Sequence, residues 1–268
     1  MESKFILVLL ASTTGAEQCL RIGEQMSARL GQPLRLAHVE IGSRAIILPS
    51  QEQLSEYEVE HLAERERMET EKLRATVAQW TRSTGISAQF DLYTGDQWRV
   101  MRHYQRTASM VVLAAPHTQP VGHREGLRAA LLRARHPVVM VPPTWDGSFG
   151  RRLMIGWRDI APLRRALAAF QPFLAVAEQV EVVAIDQDES ALAAARATIA
   201  PIVPAAGYRL IASEGRKTAT ALLEAATAYQ ADGLIMGAYR RGELLNWLSA
   251  GTSSRLIQSS ALPLMMRR

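Results

Sequence analysis

The stretch from Ala231 to Arg268, ADGLIMGAYRRGELLNWLSAGTSSRLIQSSALPLMMRR, decides the fold. An apolar run, Leu234-Ile235-Met236, stops at Gly237-Ala238-Tyr239, and a polar loop carrying Arg240, Arg241 and Gly242 leads to Gly251-Thr252-Ser253-Ser254. This reads as a strand, a loop and a helix start. Thr252, Ser253 and Ser254 are candidate N-caps for a short helix through Arg255, Leu256 and Ile257, which Pro263 ends before a final strand, Leu264 to Met266. A strand whose carboxyl end meets a glycine-containing loop and a helix N-terminus can present backbone N–H groups and a positive helix end to a phosphate. The same glycines and hydroxyls serve equally well to shape a turn and cap a helix.

Working outward, the rest of the chain repeats this pattern. Apolar runs at Phe5 to Ala11, Leu34 to Ile41, Met110 to Ala115 and Pro137 to Val141, and an alternating segment at Ser87 to Tyr93, read as strands. Between them lie helices at Ala16 to Leu30, Gln97 to Thr107 and Leu127 to Ala134. A long, highly charged amphipathic helix runs from about Gln51 to Thr84, with Leu54, Tyr57, Leu62, Leu73, Val77 and Trp80 at helical spacing. Pro142-Pro143-Thr144-Trp145-Asp146-Gly147-Ser148 is a linker of turn formers. After it come strands at Arg152 to Trp157, Val180 to Ile185 and Tyr208 to Ser213, with helices at Pro162 to Ala177, Glu189 to about Ile202 and Thr218 to Gln230. Alternation of this kind predicts a parallel sheet covered on both faces.

The two halves also align with each other. Ser109-Met-Val-Val-Leu-Ala-Ala matches Asp232-Gly-Leu-Ile-Met-Gly-Ala, and His136-Pro-Val-Val-Met matches Leu262-Pro-Leu-Met-Met. The expected organisation is therefore a tandem duplication over residues 1–143 and 150–268, with the long charged helix taking up the extra length of the first half. Each repeat is expected to be α/β, a five-stranded parallel-type sheet with helices on both faces.

The carboxyl-terminal stretch resembles the signature of the universal stress protein family, whose nucleotide-binding members carry G-x2-G-x9-G-[ST] at this place. Gly237 takes the first position, Arg240 and Ala250 stand where the next two glycines would be, and Gly251-Thr252 arrives one residue late. The resemblance covers the whole chain as a tandem member. It implies the universal stress protein, or adenine nucleotide alpha hydrolase-like, fold and an intramolecular pseudo-dimer of the halves through their last strands, Val138 to Val141 and Leu264 to Met266. For the second half it implies an adenine-nucleotide site, for ATP or AMP with magnesium only alongside the nucleotide, drawn from Asp159, Gly237, Arg240, Gly242, Gly251, Thr252 and Ser253. In the family an Asp-Gly-Ser-like turn follows the first strand. Here Arg158 stands at the acidic position and Asp159 one residue later, while Arg158, Arg240 and Arg241 add positive charge beside a phosphate. In the first half the turn is Ser12-Thr13-Thr14, with no acidic residue, Ala114 replaces Gly237, and the interval from Ala114 to Pro137 is shorter than that from Gly237 to Pro263. No nucleotide is expected there.

Composition narrows the function further. At 268 residues, with 48% apolar and 21% charged residues, the chain has enough apolar content for a globular protein with substantial cores. The first apolar run is too short to span a membrane and lacks a cleavage-site pattern, so the expected location is the cytoplasm. One cysteine, Cys19, excludes an internal disulfide and reads as a core residue on an amphipathic helix. The net charge of +5 and pI of about 9.7 come from arginines dispersed among glutamates, with pairs such as Arg151-Arg152 and Arg240-Arg241 but no aromatic interleaving, so no nucleic-acid platform is expected.

No P-loop lysine motif, GxGxxG after the first strand or nucleophile elbow is present. The histidines lie in the first half, and His117 and His123 have no cysteine or carboxylate neighbours at metal spacing. The expectation is a non-catalytic stress-response or signalling module, with homodimer formation through exposed sheet edges as a further expectation. The alternatives are a nucleotide-hydrolysing enzyme of the same fold, which would need a paired acid, base or metal ligand around Asp159, Asp186 and Gly251, and a ligand-free protein-interaction scaffold.

Overall fold

The computed structural model describes residues 4–40, 55–116, 121–238, 256, 257 and 259–268. Among the described residues ten strands make one sheet: β1 (Phe5–Leu10), β2 (Leu34–Glu40), β3 (Gln89–Thr94), β4 (Ala108–Ala114), β5 (Val138–Val141), β6 (Arg152–Gly156), β7 (Gln179–Ile185), β8 (Gly207–Ile211), β9 (Gly233–Gly237) and β10 (Leu264–Arg267). Their order is β3-β2-β1-β4-β5-β10-β9-β6-β7-β8. All pairs within β1–β5 and within β6–β10 are parallel. The two sets join at β5 and β10, which run antiparallel with Met140 opposite Leu264, Val139 opposite Met265 and Val138 opposite Met266. The carboxyl ends of the two sets therefore lie on opposite edges of the sheet.

The faces are covered by α1 (Ala16–Leu30), α2 (Glu56–Thr84), α3 (Gln97–His103), α4 (Val121–Leu127), α5 (Ala161–Val176), α6 (Glu189–Ile199) and α7 (Thr218–Tyr229). Strand alternation sorts the core into two layers. Ile6, Val8 and Leu10 pack with Leu20, Ile22 and Met26 of α1, on the face that also carries residues of α2, α5 and α6. Phe5, Leu7 and Leu9 face the other way, toward Met101, Leu127 and Leu131, with α7 residues and Leu256 and Ile257 in the same layer. Every residue of β1 is buried, as a strand covered on both sides requires.

Local signals set the helix ends. Ser55 caps α2 in a reciprocal box with Glu58, and Gly31 (φ 62°) and Gly85 (φ 70°) end α1 and α2 in the left-handed conformation that glycine takes at little cost. Residues 51–54, where the sequence places the start of the long helix, lie outside the described residues. Three helices differ from their predicted spans by more than a residue; the one expected to reach about Ile202 ends at Ile199. The segment expected at Leu127 to Ala134 starts at Val121 and becomes π-helical over Arg128–Arg133. The helix expected to reach Thr107 ends at His103, where Tyr104 turns the chain and its carbonyl accepts from Thr107 and Ala108 N–H.

Candidate functional site

In each set the strand order reverses beside the first strand, between β1 and β4 and between β6 and β9. Such switch points place a crevice at the strands' carboxyl ends, where ligands of open α/β sheets bind. The second-set crevice is built from the end of β6, the turn Trp157 to Ile160, the start of α5 and the end of β9.

Close approach dictates its glycines. A Cβ on Gly237 would stand 2.9 Å from the Leu163 backbone nitrogen and 3.0 Å from Ile160 Cδ1, so only glycine lets the end of β9 lie against the first turn of α5. That first turn is uncapped: Ile160 supplies no side-chain cap, Pro162 follows, and no acidic residue sits there. An uncapped N-terminus keeps free N–H groups and the positive end of the helix dipole. The Trp157 indole N–H is also buried without an acceptor among the described residues.

The neighbouring carboxylates are already engaged. Asp159 takes a bidentate pair from Arg164, at 2.7 Å from Nε and 2.8 Å from the terminal nitrogen, on the protein surface. Asp186, in the left-handed region at φ 50°, accepts the Ser213 N–H at 2.8 Å, and its bonds with Ser213 hold its carboxyl below the usual range. Gln187 donates to the Trp157 carbonyl at 2.7 Å, and Arg158 is exposed. Of the residues the sequence nominates, Gly237 and Asp159 belong to the strand ends of this crevice, with the Asp159 side chain turned to Arg164. Arg240, Gly242, Gly251, Thr252 and Ser253 lie outside the described residues.

In the first set the turn after β1 is met by an acidic side chain of the protein itself. Glu69, on α2, accepts the Thr13 N–H at 2.6 Å and the Thr13 hydroxyl at 2.7 Å, so a carboxylate sits on the turn that follows β1. Burial pushes this carboxyl up; the Thr13 bonds, with help from Lys72 and His38, reverse that and hold it below its ordinary value. Nearby, the His38 ring donates through Nδ1 to the Leu10 carbonyl at 2.7 Å. The Thr70 hydroxyl, 3.2 Å from His38 Nε2, donates to Glu40 at 2.8 Å. Burial lowers the His38 pKa, against the raising effect of the Leu10 bond and of Glu40 and Glu69. Ser12 lies 3.1 Å from His123 Nε2. Sequence reading missed Glu69; its only signal was one acidic residue among many on α2, because the contact spans 56 positions.

One further carboxylate was missed. Asp232, just before β9, is buried and gathers the N–H groups of Gly150, Arg151 and Arg152 at 2.9–3.1 Å and the Ser148 hydroxyl at 3.3 Å. It ties the segment entering β6 to the strand that enters the candidate crevice.

Among solved structures, the chain is similar to a universal stress protein from Archaeoglobus fulgidus, with a TM-score of 0.69 at 15% identity over 97% of both chains. It is also similar to a functionally unknown protein from Pseudomonas aeruginosa, with a TM-score of 0.62 at 13% identity over 98% of this chain and 92% of that one. No family model matches the sequence, and no curated protein matches it. The chain has the universal stress protein fold over nearly its full length. Among the described residues no helix is long and apolar enough to cross a membrane.

Proposed function

We propose that this is a tandem universal stress protein: a cytoplasmic, non-catalytic stress-response or signalling module whose second half binds adenine nucleotide, ATP or AMP, weakly. Magnesium enters only with the nucleotide. The two halves act as a pseudo-dimer joined along β5 and β10. The observation that carries this reading is the contrast between the two switch points. In the first, Glu69 already supplies the anion for the turn after β1. In the second, no side chain caps the first turn of α5 and no acidic residue sits there, so the positive end of the helix beside the end of β9 is left for an anion. The described residues therefore fit a nucleotide's anionic end in one half only, with Gly242, Gly251, Thr252 and Ser253 as the loop expected to complete it. The positive helix end and the nearby exposed Arg158 would bind and orient a phosphate.

A second reading, a ligand-free interaction scaffold, is favoured by the Asp159–Arg164 pair, which withdraws the nominated carboxylate from a ribose.

Thermal-shift titration with ATP, ADP and AMP, with and without magnesium, separates the two. A ligand at about 100 times its dissociation constant adds roughly 2.7 kcal/mol to stability. The proposal expects a saturable shift that Gly251→Asp abolishes. Absence of a shift at millimolar nucleotide overturns it in favour of the scaffold.

A further inference from the structure

A cavity of about 600 Å³ opens across the β5–β10 seam, at the edge formed by the amino ends of β4 and β5 and the carboxyl end of β10. This volume is in the range of small-molecule sites. Both halves build it: Met110 and Pro137 come from the first, and Ala168, Ala169 and Pro172 of α5 from the second. It shares no residue with the crevice at the ends of β6 and β9.

Its charge is one-sided. Lys4, Arg106, Arg135 and Arg267 line it, and no carboxylate does. None of the four takes part in an ion pair among the described residues. Elsewhere on this chain some arginines are paired with nearby carboxylates, as Arg151 is with Glu178 and Arg209 with Glu181. The Arg267 Nε is buried with no acceptor among the described residues, a state that costs more for a charged group than for a neutral one. Like charges around one concavity repel each other and concentrate anions. His136 adds no charge: it contacts the Met101 carbonyl through Nε2 at 3.2 Å, and burial, followed by the charge of Arg267, outweighs that bond and lowers its pKa.

Two backbone features add to this. Arg135 stands at φ 57°, a conformation that favours glycine, so a long cationic side chain is held at the rim despite local strain. Pro172 has no N–H to offer the Ala168 carbonyl one turn earlier, which leaves that oxygen without its usual helix donor, and both residues line the cavity.

We propose that the seam cavity binds a phosphorylated small molecule, the phosphoryl group held by Lys4, Arg106, Arg135 and Arg267 and a hydroxyl-bearing body set against the Ala168–Pro172 wall. Arginine suits a phosphoryl group because its guanidinium can donate two parallel hydrogen bonds.

The test is calorimetric titration of the full chain at low salt with inorganic phosphate and with glycerol 3-phosphate, on wild type, Arg135→Gly and Arg267→Gln. Arg135→Gly removes a charge while relieving the strained backbone, so lost binding in that variant is not lost folding. The proposal expects saturable one-to-one binding of glycerol 3-phosphate, weakened at least about tenfold in each variant and by added salt, with ATP binding at the other crevice unchanged in Arg135→Gly. Equal affinity for inorganic phosphate, lost in the same variants, assigns the site to the free anion and overturns the role of the α5 wall. No saturable heat at millimolar ligand, or affinities unchanged in both variants, overturns the site.

Discussion

Replacing Asp232 by alanine removes the one acceptor shared by three consecutive backbone N–H groups, those of Gly150, Arg151 and Arg152. The site is 5% exposed, so water does not readily replace the carboxylate. An orphaned buried donor costs about 1–3 kcal/mol, which for three donors gives about 3–9 kcal/mol. The gain from no longer burying a charge offsets part of this. Burial raises the carboxyl above its ordinary 3.8, and the bonds from Arg151, Arg152, Gly150 and Ser148 pull it back only in part. A net loss of about 3–5 kcal/mol is expected, and with an m-value of about 3 kcal/mol per molar urea the midpoint falls by about 1–1.7 M. The assay is urea unfolding followed by circular dichroism. Because the folded pKa is raised, the contribution of this group is full below pH 3.8 and declines as pH rises through the folded pKa. The gap between wild type and variant is therefore widest below pH 3.8 and narrows toward neutral pH. A midpoint within about 0.3 M of wild type at unchanged m would refute the reasoning.

Three other perturbations test separate parts of the structure. Cys19 is buried and its thiol is pushed up by burial, so a disulfide reagent at about pH 8 labels it only after unfolding; stoichiometric labelling of the native protein would contradict this. Glu69→Gln keeps an acceptor for Thr13 but loses the charge, and at a partly exposed site this costs about 1 kcal/mol at neutral pH. Since the folded pKa of Glu69 is lowered, its contribution is present above its ordinary 4.5 and lost as pH falls through the folded value, so stability curves of variant and wild type should converge in acid; parallel curves would count against the contact. Gly237→Ala places a Cβ 2.9 Å from the Leu163 nitrogen and, because backbone must shift to admit it, costs about 1–3 kcal/mol in urea unfolding; a neutral effect would mean that α5 does not lie against β9.

The central strands were legible because they are short apolar runs; β6 and β9 were placed to within one residue at each end. Helix α1 was read correctly at both ends because Gly15 and Gly31 bracket an unambiguous amphipathic period. The π-helical turn at Arg128–Arg133 was not legible, since its sequence, RAALLR, has ordinary α-helical propensity and nothing local specifies the wider turn. At the candidate site, Gly237 was legible as the end of an apolar run beside a loop. The pairing of Asp159 with Arg164 was not foreseen, although the five-residue spacing puts both at the start of one helix. Glu69 on Thr13 and Asp232 on Gly150 to Arg152 are contacts between distant parts of the chain, set by how α2 and β9 pack, and no local pattern announces them. The seam cavity is more remote still, since Lys4, Arg106, Arg135 and Arg267 come together only when β4, β5 and β10 are neighbours.

The central claim is that one half offers a nucleotide crevice while in the other an acidic side chain of the protein itself meets the turn after β1. Photo-crosslinking with an azido-adenosine triphosphate, followed by peptide mapping, tests it most directly. The account predicts saturable labelling, competed by ATP, confined to peptides of the second half that include the Trp157–Leu163 turn or the segment following Gly237. Labelling of the Ser12–Gly15 turn beside Glu69, or no ATP-competable labelling at all, would contradict it.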